Sequence, residues 1–130
     1  MKLSEYFDKA RGTGVLATAD AEGRPNVAVY ARPHFPDEET VAFIMADRHS
    51  YANVRANGHA AYLFREAGDG YAGRRLHLTK VREDNDAEAI QAMRRRQTPE
   101  PCTAESEGKR HLVYFRVEKV RPLIGEGQAE

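Results

Sequence analysis

Cysteine, tryptophan and long apolar runs are scarce or absent in this chain. Its 130 residues include one cysteine, Cys102, and no tryptophan. A single cysteine cannot form an internal disulfide, so we expect a reducing, cytoplasmic setting. No apolar run approaches the roughly 20 residues that span a bilayer, and residues 1–5 lack the apolar stretch of a signal peptide. The sequence therefore predicts neither membrane insertion nor secretion.

The chain also lacks an excess of charge of either sign. Twenty basic and 20 acidic residues give zero formal net charge, so nothing favours a nucleic acid or an anionic membrane as partner. The histidines show no metal-ligand spacing, so no metal site is expected, and His34 and His111 are expected at the surface or in loops. A charged fraction of 31% leaves a modest apolar supply, which favours oligomerisation.

Hydrophobic alternation and turn residues predict one mainly β domain with a few helices. The strands are too closely spaced for a parallel sheet with crossover helices, so a small six-stranded antiparallel barrel is expected. Residues 97–109 are predicted to form a polar linker. The predicted helices cover 3–11, 48–56 and 84–96, and the predicted strands cover 15–19, 25–32, 40–46, 59–64, 74–82 and 110–123.

The most informative segment is the corner between the strand over 40–46 and the helix that follows it. The first N–H groups of a helix lack partners within the helix and, with the helix dipole, favour an anion. Arg48, His49 and Ser50 add side-chain donors beside Asp47. A phosphate site is one interpretation. The other is that Asp47 or Ser50 only caps the helix while Arg48 is solvated, since cap residues are common.

Two further segments offer candidate contacts. If Val29 and Ala31 face the core, then Tyr30 and Arg32 project from the opposite side of their strand, where they would meet an anion near Arg48. The alternative for Arg32 is an edge arginine in water. The glycine-rich stretch 66–73 lacks the spacing of a nucleotide-binding loop, so it is expected to be a flexible connection with Tyr71 available for ring stacking.

The order of these parts resembles that of a known family. The segments that carry the resemblance are Gly14-Val15-Leu16-Ala17-Thr18-Ala19-Asp20, Gly23-Arg24-Pro25, and Ser50 to Asn53-Val54 with Asn57-Gly58. Over roughly residues 3–82 the chain is similar to the pyridoxamine 5′-phosphate oxidase-like family of flavin-binding split β-barrels. The resemblance implies a six-stranded split barrel that forms a homodimer, with two FMN molecules in grooves between the subunits.

The resemblance also implies positions for the cofactor contacts. The FMN phosphate would meet the corner 47–50, with Arg32 nearby, and Asn53 would brace that corner. The flavin ring would lie along Tyr30, Ala31, Met45 and Ala46. Tyr71 and Arg74 of the partner subunit would cover the ring.

The chain departs from the family pattern at two places. Family members often carry a lysine in the corner, where His49 and Ser50 stand here. A charge-assisted hydrogen bond contributes roughly 1.5–3 kcal/mol, so one missing partner would weaken binding more than tenfold. The C-terminal part lacks the arginine- and histidine-rich substrate motif of vitamin B6 oxidases, so pyridoxamine phosphate is not the expected substrate.

Three functions remain open from the sequence. The first is an FMN-dependent oxidoreductase or electron carrier whose partner is a small molecule or a redox protein. The second keeps the barrel but binds a deazaflavin or haem, with His34, His49 or His77 as a haem ligand. The third is a non-enzymatic dimer whose corner is only a helix cap.

Overall fold

The computed structural model describes residues 2–95 and 110–125. The predicted linker over 97–109 lies outside the described residues. The helices are α1 Leu3–Lys9, α2 His49–Ala56 and α3 Ala87–Arg95, and the strands are β1 Gly12–Ala19, β2 Pro25–Val29, β3 His34–Asp37, β4 Thr40–Ala46, β5 His59–Glu66, β6 Gly73–Asp84 and β7 Arg110–Pro122.

All seven described strands form one antiparallel sheet in the order β2-β1-β5-β6-β7-β4-β3. The mainly β fold class with few helices is therefore confirmed. Over the described ranges the sheet is not closed, because β2 and β3 remain its two edges. The homodimer stays a prediction.

The seventh strand lies where the sequence predicted a loop over residues 33–39. β3 pairs with β4 through His34 and Asp37, with an irregular register between them. Pro33 and Pro36 indicated a break in the chain because proline cannot donate to a strand ladder. An edge strand needs donors on only one side, so β3 tolerates Pro36. The predicted strand over 25–32 ends earlier than expected, at Val29.

The core lies on the inward side of the sheet, where α1 adds Phe7 to it. This inward cluster includes Leu16, Val41, Phe43, Met45, Tyr62, Phe64, Leu76, Leu78, Val113 and Phe115. A second cluster joins Ile90 of α3 to Ala42, Leu112 and Tyr114. Strand β4 is thus buried on both sides, as its continuous apolar sequence predicts.

The orientation of β2 differs from the prediction. Val27 and Val29 are 67% and 76% exposed, and Ala31 is exposed as well. Tyr30 packs towards the core instead, with its ring edge-on to Phe43 at 5.9 Å. The prediction was wrong because alternation separates two faces of a strand without showing which one is buried. Burying the larger tyrosine ring decides the outcome here.

Candidate functional site

Helix α2 begins without a side-chain cap. Arg48 occupies the N-cap position in extended conformation, and no side chain there makes a capping hydrogen bond. The first helical bond runs from the Ala52 N–H to the Arg48 carbonyl, at 3.0 Å. The interpretation in which Asp47 or Ser50 caps the helix is therefore wrong. The N–H groups of residues 49–51 have no acceptor within the helix, which is the arrangement that favours an anion.

The side chains around this helix end divide into exposed and buried ones. Asp47, Arg48 and His49 are exposed, so they lie where a ligand from solvent can reach them. Arg48 supplies a permanent positive charge and a planar set of donors. The Asp47 carboxylate opposes an anion at the same place. At this corner the helix end and Arg48 attract an anion, and the Asp47 carboxylate repels it.

Ser50 is 6% exposed and turns towards the segment that contains β2. The Asn26 side-chain amide donates to the Ser50 Oγ at 3.4 Å. Burial raises the pKa of Tyr30, and a hydrogen bond from Ser50 partly offsets that rise. The hydroxyl thus links α2 to Asn26 and Tyr30. A phosphate contact at Ser50 has to share this hydroxyl with both.

Two asparagines anchor α2 on the region around β1. The Asn53 amide donates to Thr18 Oγ1 at 3.1 Å, and both residues are buried. The Asn57 amide donates to the Asp20 carbonyl at 3.2 Å. Both hydrogen bonds have ordinary lengths. Together they fix the position and direction of the helix.

The opposite side of α2 carries a buried polar network that the sequence did not indicate. The rings of Tyr51 and His111 stack, with centroids 3.7 Å apart and planes within 3°. The Tyr51 hydroxyl donates to Glu83 at 2.8 Å, and Lys80 pairs with the same carboxylate at 2.9 Å. His111 is 3% exposed, so its expected surface or loop position is wrong. No spacing signal could have found it, because its ring partner Tyr51 lies on α2 and its hydrogen-bond partner Asn85 lies after β6.

The network sets the ionisation of Glu83. Burial raises the pKa of this carboxyl, but hydrogen bonds from Lys80 and Tyr51 outweigh burial and leave the pKa below its ordinary value. Burial and the adjacent Glu83 carboxylate both raise the pKa of Tyr51. The pair therefore holds a charged carboxylate and a neutral phenol behind α2.

The positions expected along a flavin ring are not equivalent. Met45 is fully buried in the core, whereas Ala46 is half-buried and Ala31 is exposed. The Tyr62 hydroxyl donates to the carbonyls of Tyr30 and Ala31, at 3.2 and 3.1 Å. Tyr62 thus holds the chain after β2 against the core. Contacts of these residues with a cofactor stay a prediction.

Arg32 contacts the end of helix α1. Its guanidinium donates to the carbonyls of Phe7 and Ala10 at 2.7 and 3.0 Å. These carbonyls belong to the last turn of the helix, where a cation is favourable. Arg32 is therefore not the solvated edge arginine of the alternative interpretation. Its contact with an anion stays a prediction.

Tyr71 and Arg74 occupy different surroundings within the protomer. Tyr71 is 72% exposed, with the Arg65 guanidinium 6.0 Å from its ring centre. Arg74 lies over the Tyr6 ring at 4.3 Å. The role of both residues as a cover from the partner subunit stays a prediction.

The described residues offer neither a metal site nor a membrane-spanning helix. Residues 2–95 and 110–125 contain no group of three or more histidine, cysteine or acidic side chains that could hold a metal ion. Among the helices within those ranges, none is long and apolar enough to cross a membrane.

Similar solved structures share this fold across almost the whole chain. An FMN-binding protein from Syntrophomonas wolfei subsp. wolfei superposes with a TM-score of 0.78 at 16% identity, covering 97% of this chain and 86% of that one. HupZ from Group A Streptococcus gives 0.71 at 18% identity, covering 98% and 96%. An F420 reductase gives 0.65 at 18% identity, covering 92% and 97%. The TM-scores show a shared fold, and at such low sequence identity the likeness is one of fold alone.

The family comparison is more specific. No protein of curated function matches the chain significantly. The family model described as pyridoxamine 5′-phosphate oxidase, however, matches residues 4–123. That range includes every described strand and the whole of the α2 corner. The chain therefore belongs to the pyridoxamine 5′-phosphate oxidase family.

Proposed function

We propose that this protein binds FMN and acts as a flavin-dependent oxidoreductase or electron carrier. The observation that carries the proposal is the uncapped start of α2, which presents backbone N–H groups beside the exposed Arg48 and His49. Such a helix end is suited to the terminal phosphate of FMN. Family membership and the similarity to an FMN-binding protein support the choice of flavin.

The residues of the corner fit a phosphate dianion, though more weakly than a lysine-containing corner. Arg48 offers charge and paired donors, and the Ser50 hydroxyl can rotate towards a ligand. Asn53 fixes the helix through Thr18, so the N–H groups are held in place before a ligand arrives. When bound, FMN supplies the redox chemistry, and the protein supplies binding, orientation and shielding from water.

We also propose that the protein is a homodimer. An apolar patch covers the outward side of β2, β1 and β5, where Val29 pairs with Val15 and Val15 with Leu63. Val27, Ala17 and Ala61 form the next row, and this set of six residues is the apolar patch. Exposure of Val27 and Val29 on an edge strand is costly in water. A second copy that packs on the patch removes this cost.

The cofactor proposal is tested by titrating the purified apoprotein with FMN and following flavin fluorescence. Arg48→Ala should weaken FMN binding about tenfold or more, the equivalent of one charge-assisted hydrogen bond. Lys9→Ala, which removes an exposed cation from α1, serves as the control and should bind FMN normally. Equal FMN affinity for Arg48→Ala and the parent protein would contradict the phosphate position.

A deazaflavin is the second candidate cofactor, because an F420 reductase shares the fold at a TM-score of 0.65. F420, a deazaflavin, also carries phosphate and can use the same helix end. Competition between FMN and F420 for the apoprotein separates the two candidates. Tighter binding of F420 would replace FMN in the proposal, whereas binding of FMN alone supports it.

A further inference from the structure

The side chain of Tyr51 is held at two points behind the start of α2. Its ring stacks on the His111 ring, with centroids 3.7 Å apart and planes within 3°. Its hydroxyl donates to Glu83 at 2.8 Å, and that carboxylate also accepts from Lys80 at 2.9 Å. Because the ring and the hydroxyl are both engaged, the side chain has little freedom to move.

Tyr51 belongs to the first turn of α2. The helix begins at His49, so Tyr51 is its third residue. The backbone N–H of Tyr51 is one of those without an acceptor within the helix, the groups proposed to meet the FMN phosphate. A side chain in this turn is joined to these N–H groups through a few covalent bonds. A contact that fixes the Tyr51 ring therefore limits how far the anion-binding turn can tilt.

The other anchors of α2 act differently. Asn53 lies in the second turn, and Asn57 follows the last helical residue. In the first turn, the Ser50 hydroxyl accepts a longer hydrogen bond, at 3.4 Å. Tyr51, by contrast, is buried, and its hydroxyl is bonded at 2.8 Å. The first turn is therefore held chiefly through Tyr51.

His111 lies directly behind the corner, on the strand next to β4. It pairs with Met45, and Asp47 of the corner follows two positions later. The imidazole is itself held, because its Nδ1–H donates to the side-chain carbonyl of Asn85 at 2.6 Å. A carbonyl oxygen only accepts, so this bond sets both the tautomer and the direction of the ring. His111 is thus a fixed support for the Tyr51 ring.

A histidine at this position is costly for the core. His111 is 3% exposed, and within residues 2–95 and 110–125 its Nε2 makes no hydrogen bond. A buried polar atom without a partner lowers stability. The next residues of the strand, Leu112 and Val113, are buried without such an atom. Packing alone would favour an apolar side chain at 111, so stability does not account for the imidazole.

We propose that His111 is a positioning residue for the α2 corner. It holds Tyr51, and through Tyr51 it holds the first turn of α2 in the direction that receives a phosphate. The inference rests on the proposed FMN function, and it names a residue that acts through another side chain. Donors that are fixed before binding lose less entropy when the anion arrives. Without His111 the N–H groups are still present but become ordered only on binding.

The preference of the apoprotein for FMN over riboflavin measures the contribution of the phosphate alone. His111→Ala removes the ring on which Tyr51 stacks. It should reduce this preference about threefold or more, while the affinity for riboflavin stays within about twofold. Ile90→Ala is the control, because it removes a buried side chain from the separate cluster under α3 and should leave the preference unchanged. Thermal unfolding checks that both variants are folded. An unchanged preference in His111→Ala would overturn the proposal.

His111→Phe separates positioning from a general loss of packing. Phenylalanine keeps a flat ring on which Tyr51 can stack, although it cannot bond Asn85. It should restore most of the preference that His111→Ala loses. Tyr51→Leu should lower the preference as far as His111→Ala does, and combining the two should lower it no further, since both act through one contact. A phenylalanine variant as poor as the alanine variant, or additive losses in the double variant, would overturn the proposal.

The mobility of the first turn provides a readout that needs no flavin. Backbone ¹⁵N relaxation of residues 49–51 reports their order on the picosecond-to-nanosecond timescale. In His111→Ala the order parameters of these N–H groups should fall. Those of residues 53–56, which the Asn53 hydrogen bond anchors, should not change. Unchanged order at 49–51 would overturn the proposal whatever the flavin titrations give.

These measurements separate the positioning role from the function on which it rests. A parent protein that binds FMN and riboflavin equally contradicts the phosphate position, and the order at 49–51 still decides whether His111 holds the turn. A parent protein that prefers FMN, with the same preference in His111→Ala, leaves the FMN function standing and overturns the positioning role alone.

Discussion

At the scale of single residues, the types of donor in the corner can be read from the sequence but their burial cannot. Arg48, His49 and Ser50 stand together in the chain, and this order predicts a place suited to an anion. The chain order does not show that Ser50 is buried against Asn26 and Tyr30. That contact depends on where β2 lies, which is a property of the whole sheet.

The same limit applies to His111. Its sequence neighbours gave no reason to expect a buried ring, and its stacking partner Tyr51 is 60 positions away in the chain. Side chains that meet only through tertiary packing leave no periodic signal. Glu83, which accepts from Tyr51, was missed for the same reason.

Glu83→Gln tests the polar network behind α2. The pKa of Glu83 is lowered in the folded protein, so its contribution to stability is present above the ordinary pKa of a glutamate. That contribution is lost as the pH falls through the folded value. Glu83→Gln should cost about 1 kcal/mol at pH 7 and should flatten the fall in stability towards acid. Urea unfolding at several pH values measures both.

The control for this prediction is Glu5→Gln, because Glu5 is exposed on α1. Its stability should follow the same acid dependence as the parent protein. If Glu83→Gln also keeps the parent's pH dependence, the carboxylate is not stabilised by Lys80 and Tyr51 in solution.

Gly14 makes a second prediction at this scale. A Cβ at this position would overlap the Tyr62 hydroxyl and lie 2.6 Å from the Tyr30 carbonyl. Gly14→Ala should therefore destabilise the protein by about 1–3 kcal/mol, as overpacking does. Gly70→Ala is the matched control, since nothing lies within 4 Å of a Cβ there. Chemical denaturation compares them, and equal stabilities would argue against the close approach of Tyr62.

At the scale of elements, the helices and most strands follow from local patterns. The strand β4 and the helix α2 appear where the sequence predicts them, because an apolar run and a change of periodicity mark the boundary. The edge strand β3 was missed, since Pro33 and Pro36 favour a loop when the neighbours are unknown. The orientation of β2 was also predicted wrongly. Only the packing of the whole sheet shows that Val27 and Val29 face outward.

The hydrogen bond between Asn53 of α2 and Thr18 of β1 yields a prediction that involves both elements. Asn53→Ala leaves the buried Thr18 hydroxyl without its partner and should cost about 1–3 kcal/mol. Thr18→Val leaves the amide unpartnered in the same way. In the double variant the two costs should not add, since the same bond is lost only once. Strict additivity in urea unfolding would mean that the 3.1 Å bond contributes nothing to stability.

At the scale of the whole molecule, the outward side of the sheet carries the apolar patch. No single strand shows it, because each row combines residues from three strands. The sequence supplied only the modest apolar content that favours oligomerisation. The register then places Val15, Val29 and Leu63 in one row.

Val29→Lys tests the proposed dimer. A charge within the apolar patch should convert dimers to monomers at micromolar concentration, as measured by analytical ultracentrifugation. Val81→Lys is the control, because Val81 is 51% exposed but lies outside the patch. Val81→Lys should remain dimeric. A parent protein that sediments as a monomer would contradict the proposal directly.

The central claim is that the start of α2 holds the phosphate of FMN, and a comparison of FMN with riboflavin tests it most directly. The two ligands share the flavin ring, and only FMN carries the phosphate. The apoprotein is titrated with each, and flavin fluorescence gives the two dissociation constants. The account predicts that FMN binds at least about tenfold more tightly, the equivalent of about 1.4 kcal/mol. Equal affinities for FMN and riboflavin would contradict it.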